Sequence, residues 1–100
     1  MFGVNVIEMK YFNYDFIKTL QAPLYISLDL DVLDPAFAPG ISHHEPGGMA
    51  TRELIKIIQT ISVSVVGADI VEYNPTRDIN NMTAMVAYKL FKEIVVKMND

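Results

Sequence analysis

Six side chains have types and spacings suited to chemistry: Asp29, Asp31 and Asp34 in "SLDLDVLDP", His43 and His44 in "GISHHEPGG", and Glu72 in "GADIVEYNP". Asp29 and Asp31 close an apolar run. Side chains alternate across a strand, so the two carboxylates are expected on one face, with Leu28, Leu30 and Val32 on the other. Their Cα atoms would lie about 6.6 Å apart, near enough for both to converge on one divalent cation or on a pair about 3.5–4 Å apart. Without a cation, two such charges repel and raise each other's pKa. A strand this apolar has no structural need for two acids on one face, so an oxygen-bound divalent cation is the expected reason for them. Asp34 precedes Pro35 and is expected to cap a turn by bonding its own backbone. A calcium loop of the EF-hand type is excluded by position. Counted from Asp29, the sixth residue is Asp34 where glycine is needed, and the twelfth is Gly40 where glutamate is needed.

Glu72 is expected to share a face with Val66, Ala68 and Ile70 and to stand at the end of its strand, on the same rim as Asp29 and Asp31. A carboxylate there suits a planar guanidinium, which it can bind through two parallel hydrogen bonds; the structural alternative is a salt bridge to a lysine or to Arg77. Histidine is a common metal ligand and proton carrier. Adjacent histidines rarely face one site, so at most one of His43 and His44 is expected to act and the other to sit on the loop surface. Gly47 and Gly48 allow turns that other residues resist. Asp69, in mid-strand, is expected to be buried and paired with Arg52.

The elements that must position these groups follow from apolar spacing. Residues 3–9 read as a strand, and residues 14–20 as a helix capped by Asn13 and closed off by Pro23. Leu24–Asp29 forms a near-continuous apolar run, the pattern of a strand buried on both faces. Residues 35–48 make a structured loop rich in proline and glycine. Thr51 is the expected cap of a helix with Glu53 in its first turn and Leu54, Ile57, Ile58 and Ile61 on one stripe. Residues 63–73 read as a second buried strand ended by Asn74-Pro75. Met82–Met98 reads as a helix with Ala87, Leu90, Phe91, Ile94, Val95 and Met98 on one face. Strands alternating with helices predict an α/β fold, a parallel sheet in a three-layer αβα arrangement. Sites in such sheets lie outside the carboxyl ends of the strands.

The 100 residues, 51% apolar and 20% charged, suit a single domain over 1–100. A net charge of −4 with no basic stripe argues against nucleic acid. There is no cysteine, so disulfides and thiolate chemistry are excluded and any metal would be held by oxygen and imidazole. No apolar run approaches the ~20 residues of a membrane span, and the first residues lack the pattern of a signal peptide. A soluble, cytoplasmic protein is expected, with an organellar location left open.

Together, "SLDLDVLDPAFAPG" at 27–40, "HEPGG" at 44–48 and "GADIVEYNP" at 67–75 resemble the ureohydrolases, the manganese enzymes that include arginase and agmatinase. The likeness runs over nearly the whole chain and covers the C-terminal third of that fold. It implies that Asp29 and Asp31 bind a pair of Mn2+ ions, that Glu72 binds the substrate guanidinium, and that His43 lines the substrate pocket where animal arginases carry a threonine. The loop and the opening "GVNVIEMK" look closest to plant-like and bacterial arginases, which favours arginine over agmatine or another guanidino compound. The implied reaction is attack of a hydroxide on the guanidinium carbon to give urea and an amine. The upstream family segments with the remaining metal ligands and the shuttle histidine are absent, so the chain alone is expected to be inactive. The family also implies a trimer or hexamer when complete. Two other classes remain open from the residues alone. One is a glycosyltransferase using D-x-D as a metal clamp, which leaves Glu72 and the glycine loop unexplained. The other is a non-catalytic truncated module.

Overall fold

A computed structural model describes residues 20, 21 and 23–98; the strand expected at 3–9 and, apart from Leu20, the helix expected at 14–20 lie outside them. Strand β1 is Leu24–Asp29 and strand β2 is Val65–Val71, paired in parallel with Ser27 opposite Asp69 and Asp29 opposite Val71. A parallel pair needs a long crossover. Here it carries the proline- and glycine-rich loop and helix α1, Thr51–Thr60. Helix α2, Met82–Met98, follows β2.

The apolar residues sort the two faces of this sheet. Leu28, with Ile26, Ala68 and Ile70 beside it, packs on Leu54, Ile55 and Ile58 of α1 and on Leu90 and Ile94 of α2. Tyr25, Ser27, Asp29, Asp69 and Val71 are exposed on the other face. β1 is thus buried on one face, where its apolar run had predicted both. The α/β class with a parallel sheet is as expected, and the described residues build one helical layer on it. A two-stranded sheet covers only a narrow strip of α2, so Leu90 and Ile94 are buried while Phe91 and Met98, expected on the same face, are exposed.

Local details depart from expectation for identifiable reasons. The register slips between Leu24 and Tyr25, so that Leu24 faces Val65 while Tyr25 faces Gly67. Val66 is left over as a bulge and stands 61% exposed. The cap of α1 is Ala50, not Thr51; it has no side-chain acceptor, and Glu53 Oε1 reaches back instead to accept the Ala50 N–H at 3.1 Å. β2 is shorter than residues 63–73, because Glu72 takes a left-handed backbone with φ of 70° and ends the ladder.

Candidate metal centre

β1 ends at Asp29 because the chain turns at once into a 3-10 turn, Leu30–Val32. Asp29 caps that turn: its Oδ1 accepts the Asp31 N–H at 2.8 Å. Leu30 and Leu33 are both fully buried, each worth about 1.5–3 kcal/mol, and they pin the turn on the core. The strand alternation expected for Asp29 and Asp31 therefore stops between them. Asp31 is aimed instead at the loop beyond, where its Oδ1 accepts the N–H groups of Ser42 at 3.1 Å and His43 at 3.2 Å. Its Oδ2 lies 2.9 Å from His43 Nδ1. That bond and the Asp31 charge raise the His43 pKa above its ordinary value, with a smaller push in the same direction from Glu72, against burial and Arg77.

Glu72 comes to the same rim from β2. Its left-handed backbone turns it away from the alternation that holds Ala68 and Ile70 on the core side, and its side chain is exposed. One ligand atom from each of Asp31, His43 and Glu72 lies within 4.8 Å of the others. Among the described residues this group joins three of the four expected site residues. Asp29 is not in it, being one turn back with Oδ1 on a backbone amide. His44 points elsewhere, its Nε2 2.6 Å from the Pro39 carbonyl oxygen, so only one of the adjacent histidines faces the group. Arg77 donates to the Ser42 carbonyl at 3.0 Å, which braces the loop in place of the anticipated pairing with Glu72.

The loop is stitched to the turn from both ends. Asp34 does cap, with Oδ1 accepting from Ala36 N–H at 2.9 Å and Oδ2 from Gly47 N–H at 3.0 Å, and these backbone bonds hold its pKa below the usual carboxylate value. Met49 N–H donates to the Val32 carbonyl and Asp34 N–H to the Met49 carbonyl. Gly48 sits so close that a Cβ there would lie 2.7 Å from Asp34 N and 2.9 Å from Val32 O.

At the loop's other end two residues were not singled out from sequence. Asp78 Oδ1 accepts the N–H groups of Ile79 and Thr83, and Oδ2 accepts Ala84 N–H and Tyr73 O–H. Burial pushes its carboxyl up, but these bonds outweigh it and bring the pKa down to about 2. Thr83, fully buried, accepts Gly40 N–H at 2.7 Å. An aspartate shortly before an apolar helix is an N-cap signal that could have found Asp78; nothing local marks Thr83. Asp69 also differs from expectation. It is exposed on the outer face, and its partners are Ser27 Oγ at 2.7 Å and Tyr25 O–H at 3.1 Å on the adjoining strand, where Arg52 and burial were expected.

With this geometry in hand, comparison with known proteins is decisive about kinship. The Arginase family matches residues 2–96. The chain belongs to the arginase family. Arginase 1, mitochondrial, of Arabidopsis thaliana is 47% identical over 106 aligned positions, covering 98% of this chain and 31% of that protein. An agmatinase of Bacillus cereus is 35% identical over 101 positions, covering 90% of this chain and 35% of its own. Among solved structures, a T. brucei arginase-like protein triple mutant bound with Mn2+ superposes with a TM-score of 0.72 at 40% identity, over 78% of this chain and 28% of that one. The chain thus spans about a third of the length of the curated relatives it matches. The resemblance carried by the three motifs is borne out, and so is the parallel α/β fold. No helix among the described residues is long and apolar enough to cross a membrane.

Proposed function

We propose that this chain is the C-terminal part of a manganese-dependent ureohydrolase, acting on arginine to give ornithine and urea, and that it is inactive alone. The convergence of Asp31, His43 and Glu72 at the carboxyl-end rim of the sheet is the observation that carries this reading. Two carboxylates and an imidazole form a donor set that Mn2+ accepts; of these, Asp31 would hold the ion together with the neighbouring Asp29, while Glu72 and His43 would face the substrate. Asp29 would serve through rotation of a carboxylate that now caps a turn. When bound, a Mn2+ pair lowers the pKa of water towards neutrality and so supplies a nucleophile at physiological pH.

The chain's own residues do the rest. Glu72, carried out on its left-handed backbone, is placed to receive a planar guanidinium through two charge-assisted hydrogen bonds. His43, held through Nδ1 by Asp31, keeps its other edge exposed at the rim, where it would face the substrate. Three convergent donors are too few to hold two cations, which supports inactivity of the chain by itself. Arginine is favoured over agmatine by the higher identity to the plant arginase, and the mitochondrial name of that relative favours an organelle over the cytoplasm. A homo-oligomer, trimeric or hexameric, is proposed for the complete protein.

The test is a chimera in which this chain replaces the matching C-terminal third of Arabidopsis arginase 1. Urea release from arginine in the presence of Mn2+ is expected, with a loss of about 10- to 100-fold on Glu72→Gln, the scale of a lost charge-assisted hydrogen bond to the substrate. A folded chimera that loads Mn2+ but releases no urea would sink the proposal.

A further inference from the structure

The group at the rim depends on a backbone segment that its own residues do not hold. Ser42 and His43 present their N–H groups to Asp31, and His43 its ring, from a loop whose other end enters the fold at Gly40. Gly40 is tied down by one buried side chain and by backbone contacts. Its N–H donates to Thr83 Oγ1 at 2.7 Å, its carbonyl accepts from Asn74 N–H at 2.8 Å, and Ile41 bridges to Tyr73. Thr83 is fully buried, and its N–H donates to Asp78 Oδ1 at 2.9 Å. The fit is close: a Cβ on Gly40 would lie 2.9 Å from both Asp78 Cβ and Thr83 Cβ. One hydroxyl, accepting from Gly40, therefore joins the start of α2 to the base of the loop.

We propose that Thr83 is a positioning residue for the site, its hydroxyl fixing the Gly40 to His43 segment so that His43 and the Ser42 and His43 amides meet Asp31. The proposal rests on the ureohydrolase reading only in calling that group a site. Thr83 touches none of Asp31, His43 or Glu72. It acts through three residues of backbone, and Asp78 seats it by accepting the Thr83 N–H. The same clamp reaches Glu72 from its far side, because Tyr73, next in sequence, bonds Asp78 through its own hydroxyl at 2.9 Å.

The test separates the hydroxyl from the bulk of the side chain by amide hydrogen exchange in this 100-residue chain, with no metal or substrate present. Thr83→Val keeps the volume and loses the bond; Thr83→Ser keeps the bond and loses a methyl group. In Thr83→Val the Ser42 and His43 amides are expected to exchange about five- to tenfold faster, as befits one lost hydrogen bond in a local opening, while the Leu90 and Ile94 amides are unchanged. Thr83→Ser restores the slow exchange even if its thermal midpoint falls. Equal acceleration in both variants, no acceleration in either, or a uniform rise at every core amide in Thr83→Val would each overturn the proposal in favour of plain packing. Failure of Mn2+ to bind the unaltered chain would count against the ureohydrolase reading and leave the exchange result standing.

Discussion

Glu72 occupies a backbone conformation that favours glycine. At φ of 70° an L side chain crowds the following carbonyl, at a cost of about 1–2 kcal/mol. Such strain persists where the surrounding structure over-determines it, and here it carries a carboxylate off the core face and onto the rim. Glu72→Gly is therefore expected to stabilise the chain by about 0.5–1 kcal/mol, after the greater unfolded-state entropy of glycine is subtracted. Urea melts of the two proteins check this, and a less stable variant would show that the carboxylate's contacts outweigh the strain. That Glu72 is an acid at a strand end was legible in sequence, but its conformation was not. Asn80 and Asn81, at φ of 51° and 60°, are residue types that signal a left-handed turn; glutamate is not. The same limit applied to Asp31. Its place among the strand-end acids could be read from spacing, while its turn towards His43 depends on where the buried Leu30 and Leu33 seat the chain.

Among the elements, apolar runs gave β1 and α2 their observed ends, because long periodic segments carry their own signal. What spacing could not supply was the stitching of loop to turn, made by backbone atoms whatever the side chains. Gly48 tests this most directly. Its Cβ would meet backbone atoms of Val32, Leu33 and Asp34, which cannot swing aside, so Gly48→Ala is expected to cost about 2–3 kcal/mol. Gly67→Ala would meet only the Tyr25 ring, which is 58% exposed and free to move, and a cost under about 1 kcal/mol is expected. Denaturant titration of the pair decides whether backbone stitching matters more than outer-face contacts. The start of α2 makes a pH-dependent contribution. The folded pKa of Asp78 is about 2 against an ordinary value of 3.8, so its stabilisation is fully present above about pH 4 and is lost as pH falls through about 2. The difference in thermal midpoint between the unaltered chain and Asp78→Asn should accordingly be constant from pH 7 to about 4 and shrink below that. A difference that grows on acidification would mean that Asp78 is not the group responsible.

On the scale of the molecule, a two-stranded sheet with helices on one side leaves much apolar surface outside. Tyr25, Val66, Met85, Tyr88, Phe91 and Val96 are each more than half exposed. Surface of this extent is what an interface leaves behind when its other side is missing, in keeping with a chain that spans about a third of its relatives. The parallel pairing of β1 with β2 also sets an order of assembly. The Asp31 to His43 contact closes a loop of 12 residues, whereas Glu72 joins from about 40 residues further along and only after α1 has docked and β2 has paired. A refolding chain meets the first two donors early and the third last. A guanidino ligand engaging Glu72 and His43, with Mn2+ on Asp31, would recognise the finished fold and none of its precursors. Added to a stopped-flow experiment, it should slow unfolding and leave the refolding rate unchanged; faster refolding would mean that the triad forms before the strands pair. The gap between strands that a parallel sheet demands thus makes the site a late event in the life of the chain, and its occupancy a marker of maturity.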